Sequence, residues 1–254
     1  MIKYIPLISA VVTIVFTAFV STPGSPLLIN GMTQADISNM YPNAITPAGI
    51  TFSIWTLIYI SWIVAGIFIA GLHYRFMKKS FILKIHEAFT KMHLDKKFVI
   101  SYSSVMFLTG IWLIPWGYNM IGLALIVMFL ILATLVYTFI ISRDMHPMVR
   151  WSVDLTLGWI NIATVANVTI WLVSIGFTGW GIPEIYWAIG VLGLALILTS
   201  YYQCKWHTYI ISLVFLWTMM GVWIAHDVFE ERVAVIIFSI ITILNMLYSY
   251  RKNN

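Results

Sequence analysis

The sequence predicts an all-α integral membrane protein with eight transmembrane helices. Three observations carry that expectation. Of its 254 residues, 61% are hydrophobic and 9% are charged, with a mean hydropathy of +0.93. A soluble domain is about 45–50% apolar and about 25% charged. So few charges cannot coat a globule of this size in water, which excludes an ordinary cytosolic enzyme and a disordered chain. A single cysteine, Cys204, excludes an intrachain disulfide scaffold. Second, the apolar residues gather into runs of about 20, the length that crosses a bilayer core. The runs are continuous, whereas transmembrane β-strands alternate apolar and polar residues. Third, the basic residues fall almost entirely on one side of those runs.

The eight runs occupy about 4–21, 49–72, 98–117, 120–142, 151–175, 185–203, 207–226 and 232–250. The first reads as a signal anchor, since no clean small-residue cleavage site follows it. Ser21-Thr22-Pro23-Gly24-Ser25 is the nearest approach to such a site. The loop at 22–48 is long, carries one charge (Asp36) and contains four prolines. It reads either as a lid over an outward-facing site or as a plain connector. The second run holds Trp55, Tyr59, Trp62 and Gly66 on one helical face. The third and fourth form a tight hairpin through Gly117-Tyr118-Asn119, with Pro115 near the end of its helix. The third carries a stripe of Thr109, Trp112 and Trp116, and the fifth carries Trp159, Ala163, Asn167 and Trp171. Trp151, Trp180, Trp187 and Trp206 fall at expected interfaces, where an amphipathic ring is stable.

Charge tests the segmentation. Thirteen of the 14 lysines and arginines lie on one side of the eight runs, and only Arg232, beside Asp227, Glu230 and Glu231, lies on the other. The positive-inside rule therefore expects a multi-pass protein of the cell membrane with both termini cytoplasmic. The formal net charge of +5 is a topology signal, so nucleic acid is not an expected partner. Lysines interleaved with Phe76, Phe81, Ile82, Ile85, Phe89 and Met92 suggest an interfacial amphipathic helix against anionic headgroups.

Enzymatic signatures are missing. There is no Walker A motif or GxGxxG, and Thr90 stands where HExxH would need its second histidine. No metal set and no nucleophile–base pair gathers in sequence, so an enzyme is the least supported reading. Asp154 is the one acid expected inside a span. It reads as an interfacial carboxylate paired with Arg150 at i,i+4, or as a proton or cation site with Asn161 on the same face. The three aromatic stripes read as packing, or as the walls of a pocket for a flat apolar ligand with Tyr59, Asn167 and indole N–H groups as hydrogen-bonding groups.

The segment Pro47-Ala48-Gly49-Ile50-Thr51-Phe52-Ser53-Ile54-Trp55-Thr56-Leu57-Ile58-Tyr59 resembles the second-helix signature of the TspO/MBR family, the tryptophan-rich sensory or translocator proteins. Thr109-Gly110-Ile111-Trp112-Leu113-Ile114-Pro115-Trp116 resembles that family's N-W-x-W-P-x-x-F. Trp159, Asn167 and Trp171 match the offsets of its W-x-x-x-T-x-x-x-N-x-x-x-W. The resemblance covers about residues 1–178 and implies a five-helix bundle there, with 179–254 supplying three further helices. It implies a pocket for porphyrins or other hydrophobic small molecules, a binding, transport or sensing role, and often a homodimer; no other cofactor is expected. Thr109-Gly110 stands in place of the family's Asn-Trp, and Leu155-Thr156 in place of its Pro-Tyr.

The ligand-binding reading thus assigns Trp55, Tyr59, Trp62, Trp112, Trp116, Trp159, Asn167 and Trp171 to the site, for a porphyrin-like tetrapyrrole or a sterol-like molecule. The competing readings are a proton- or cation-coupled transporter using Asp154 and Asn161, and a structural membrane protein whose aromatics only pack. The last three helices contain no repeat of the early signatures, which gives an inverted-repeat transporter no support.

Overall fold

The computed structural model describes residues 1–72 and 95–253, all turns, loops and helices. The expected amphipathic helix between 73 and 94 lies outside the described residues. Nine α-helices are present among those described: α1 Ile5–Ser21, α2 Gln34–Asn39, α3 Ile54–Ala70, α4 Lys96–Gly117, α5 Ile121–Ile141, α6 Pro147–Ser174, α7 Glu184–Trp206, α8 Tyr209–Ala225 and α9 Phe229–Asn253. All but the short α2 correspond to the eight expected runs. Seven are long and apolar enough to cross a membrane, and α8 is a shorter apolar helix of 17 residues. At 1.5 Å per residue α8 extends about 25 Å, close to the lower limit for a span.

Local chemistry sets the helix ends. Asp95 accepts from the Lys97 amide and opens α4, where the macrodipole favours negative charge. Gly71, at φ 72°, closes α3 in the left-handed conformation. In the α4–α5 hairpin the Met120 amide reaches back to the Pro115 carbonyl at 2.8 Å, and Asn119 takes φ 57°. The start of α6 differs from expectation by about one turn. Pro147 stands in its first turn, and His146 Nδ1 accepts from the Met148 amide, so the helix begins at Pro147 instead of near 151. Asp154 consequently lies two turns inside α6.

Helices α1, α3, α6, α5 and α4 pack in that order as a closed ring, each against its two neighbours. Helix α8 packs on α6, and α7 and α9 pack on α8 and on each other. The main core contains Trp62, Tyr102, Met106, Leu135 and Trp159 from the ring, together with Tyr202, Ile211 and Val214 from α7 and α8. Large apolar side chains elsewhere on the helices are exposed, as expected of surfaces facing lipid.

In a lipid solvent, close backbone approach and hydrogen bonds must supply what hydrophobic burial supplies in water. Both are visible. A Cβ on Gly66 would stand 2.8 Å from the Leu7 Cα, so the absence of a side chain lets α1 and α3 touch. Gly221 similarly faces Pro47 and Thr51, and its carbonyl accepts from the Ala48 amide at 3.0 Å. Between helices, the Ser152 hydroxyl meets Ser61 at 2.8 Å and Tyr102 at 2.7 Å, while Trp62 Nε1 donates to Thr156 Oγ1 at 3.0 Å. Such bonds contribute about 0.6 kcal/mol each on average, so they fix register while packing supplies most of the cohesion.

The 22–48 segment is folded over one end of the ring. Thr33 and Asp36 form a reciprocal capping box at the start of α2. Ile37 is fully buried against Trp116, Ile121, Ala124 and Ile170, and Tyr41 donates to Asn119 Oδ1 at 2.9 Å.

Two expectations follow from this packing. Gly66→Ala should lower the thermal midpoint by an amount equivalent to about 1–3 kcal/mol of overpacking. Gly190→Ala, whose Cβ would meet nothing within 4 Å, should be neutral; equal midpoints for the two variants would refute the close approach. The Asp36 carboxyl is held below its ordinary value of 3.8 by the Thr33 amide first and the Thr33 hydroxyl second. Its support of α2 is therefore complete above pH 3.8 and lost as pH falls through the depressed value. Asp36→Asn should accelerate amide exchange in α2 at neutral pH, and the difference from wild type should vanish once Asp36 is protonated.

Candidate functional site

The α3 stripe meets α6 at Trp159, and the α4 stripe meets α6 at Asn167. Helix α3 carries a ladder in which Trp55 and Tyr59 have ring centroids 5.5 Å apart, as do Tyr59 and Trp62. Trp159 comes from the middle of α6. It meets Phe52 edge-on at 5.6 Å and Trp55 edge-on at 6.4 Å, arrangements that suit the ring quadrupoles. Trp159 is only 2% exposed, and its indole N–H has no hydrogen-bond partner among the described residues. Phe52, at 43% exposed, borders this group on its open side.

A second group lies toward the α2 end. Trp112 and Trp116 stack at 4.8 Å with an interplanar angle of 27°. Trp112 Nε1 donates to Asn167 Oδ1 at 3.2 Å, and Asn167 Nδ2 donates to the Ala163 carbonyl at 2.8 Å. Trp116 Nε1 donates to the Gln34 carbonyl at 3.3 Å, which ties the stack to α2. Trp171 packs against this cluster. Along α6, eight residues separate Trp159 from Asn167, about 12 Å at helical rise. Trp55, Tyr59, Trp62 and Trp159 therefore form one group and Trp112, Trp116, Asn167 and Trp171 another. Trp112 packs against both the main core and the cluster beneath α2.

Asp154 is held differently from the i,i+4 expectation. Its Oδ1 accepts from Arg143 Nη2 at 2.5 Å, and its Oδ2 accepts from Thr208 Oγ1 at 2.7 Å. Arg150 instead donates to the Arg143 carbonyl at 3.3 Å. Arg143 reaches Asp154 because α6 starts at Pro147 and turns the 142–146 link back over its first turns. The ion pair is largely buried, with side-chain exposures of 19% and 6%. A buried carboxylate with both oxygens engaged ties the α5–α6 link to the start of α8. Asn161 is buried, and its Nδ2 has no hydrogen-bond partner among the described residues.

Several contributors were missed from sequence. Phe52 stands three residues before Trp55 on the same face, a spacing that could have marked it. Thr156 and Ser152, which fix Trp62 and Tyr102, carry no motif. Trp217 of α8 donates to the Thr51 carbonyl at 2.9 Å and braces the start of α3 from outside the ring; nothing local in sequence signals that partnership. Glu231 reads in sequence as one of several acids around Arg232. Instead, Arg232 pairs with Asp227 at 2.7 Å, while Glu231 is 1% exposed with neither carboxyl oxygen hydrogen-bonded. No group of three or more His, Cys, Asp or Glu among the described residues could hold a metal ion.

These geometries predict that Thr208→Val, which removes one donor to the buried Asp154, should destabilise the protein by about 1–3 kcal/mol. Arg150→Gln should cost much less, because Arg150 does not pair with the carboxylate. The reverse order in thermal denaturation would restore the i,i+4 pairing.

Comparison with curated proteins finds no match, and comparison with solved structures finds none. A protein-family model described as TSPO-like protein matches residues 6–250, which includes α7, α8 and most of α9 as well as the five-helix ring. The chain is a helical membrane protein belonging to the TSPO-like family.

Proposed function

We propose that the protein binds a flat hydrophobic molecule, porphyrin-like or sterol-like, against the aromatic surface of α3, α4 and α6, and uses that binding for sensing or transport. The observation that carries the reading is Trp159. Its ring is framed edge-on by Phe52 and Trp55, and its buried N–H is unpartnered. Leaving a buried donor unsatisfied costs about 1–3 kcal/mol, a cost that a ligand acceptor would relieve. A planar molecule entering beside Phe52 would lie along the Trp55–Tyr59 ladder. The Trp112–Asn167 bond would orient the far edge of the surface, and the α2 segment would close its end. Membership of the TSPO-like family supports a ligand-binding or transport role of this kind.

The coupled-transport reading through Asp154 is less favoured, because Arg143 and Thr208 already engage both of its oxygens.

Tryptophan fluorescence of the purified protein, titrated with protoporphyrin IX, tests the site. Saturable quenching in the micromolar range, about −8 kcal/mol, is expected for wild type. Trp159→Phe and Asn167→Ala should each weaken it several-fold in folded protein. Linear quenching indifferent to both variants would overturn the proposed site.

We further place the basic end of the bundle, and with it both termini, in the cytoplasm. Cys204, the only cysteine, is exposed near that end of α7. A membrane-impermeant maleimide should label it in permeabilised cells and leave it unlabelled in intact ones; labelling in intact cells would reverse the orientation.

A further inference from the structure

A separate feature lies at the opposite end of the bundle from α2. A cavity of about 440 Å³ opens between the start of α6 and the α7–α8 turn, bordered by Arg143, Arg150, Asp154, Trp206, His207 and Tyr209. Its charge is unbalanced. Two guanidiniums face one carboxylate, and Asp154 is already matched to Arg143. Among the described residues Arg150 makes one long bond to a carbonyl and no ion pair, which leaves most of its five N–H donors for a ligand.

Further features point the same way. The Thr208 hydroxyl, which would ordinarily cap α8, is turned to Asp154, so the first amides of α8 lack a side-chain acceptor where the helix dipole favours an anion. His207 Nδ1 is buried without a hydrogen-bond partner. His207 also holds φ 54°, a left-handed conformation that glycine would adopt more easily. Lys205 stands 4.5 Å from the Trp206 ring and adds positive potential to the rim. Around these donors the lining is aromatic and aliphatic, and Trp151 is half exposed at the edge.

We propose that this cavity binds the phosphate group of an anionic amphiphile. Arg150 presents its planar fork to two phosphate oxygens, and His207 with the leading amides of α8 completes the cradle. Trp151, Trp206 and Ile210 flank the apolar part of the molecule. The same chemistry is offered by a membrane phospholipid headgroup and by free phosphate, and the two are separable by competition. This site is independent of the aromatic surface and has no role in porphyrin binding.

The test uses the full-length, delipidated protein in detergent, with binding of phosphatidylglycerol followed by native mass spectrometry and thermal shift. Wild type should retain phosphatidylglycerol several-fold more strongly than phosphatidylcholine. Arg150→Gln should weaken retention at least ten-fold, Arg150→Lys should fall between, and His207→Asn, which tolerates the left-handed backbone, should weaken it several-fold. Protoporphyrin quenching should be unchanged in all three variants, which also reports that they are folded. Displacement of phosphatidylglycerol by millimolar inorganic phosphate would identify the headgroup phosphate alone as the determinant; absence of displacement would identify the whole lipid. Equal retention of both lipids by wild type, or undiminished phosphatidylglycerol retention in Arg150→Gln and His207→Asn, would overturn the proposal.

Discussion

The joins between α3, α4, α5 and α8 depend on the polar side of α6. In hydrocarbon a polar side chain must find its partner inside the protein, and α6 offers one at nearly every turn. Ser152 and Thr156 engage α3 and α4, and Asp154 engages the α5–α6 link and the start of α8. Asn167 engages α4 again. Together these contacts fix α3, α4, α8 and the α5–α6 link, so rotation of α6 by one residue would break all of them at once. The close approaches at Gly66 and Gly221 complement this by removing bulk where backbones must meet.

The same helix carries the chemistry. Trp159 and Asn167 stand on α6 two turns apart, and each draws aromatic residues from a different helix. Indole N–H groups are satisfied at Trp62, Trp112, Trp116 and Trp217, but not at Trp159. Among these indoles of the interior, that exception distinguishes the surface beside Phe52. The two ends of the bundle also differ. One is covered by α2 and is nearly free of basic residues. The other gathers the basic residues, and there the Arg143–Asp154 pair leaves Arg150 unmatched beside an open cavity.

Helices α7, α8 and α9 are joined to the ring by specific contacts. Trp217 holds the start of α3, Ala48 bonds to Gly221, and Glu184 accepts from the Ala44 amide at 2.8 Å. A Cβ on Gly158 would stand 3.0 Å from Val214, which brings α6 and α8 close. The family match across residues 6–250 takes in these helices as well.

Sequence alone determined the helical membrane class, the eight apolar runs, the sidedness of charge and the aromatic periodicity. Each depends on composition or on spacing within one segment, and the bilayer forces such segments to be helical. It also disclosed the family, since the motifs around Trp55, Trp112 and Trp159 are local strings. Only the tertiary structure decided which residues meet. Asp154 pairs with Arg143 because Pro147 starts α6 early, a consequence of chain reversal that i,i+4 spacing cannot express. The division of eight site residues into two groups depends on which faces of α3 and α4 turn toward α6. The covering of Trp116 by Ile37 and the unmatched Arg150 depend likewise on loops whose courses are set by distant partners, and no pattern within a single segment records those partners.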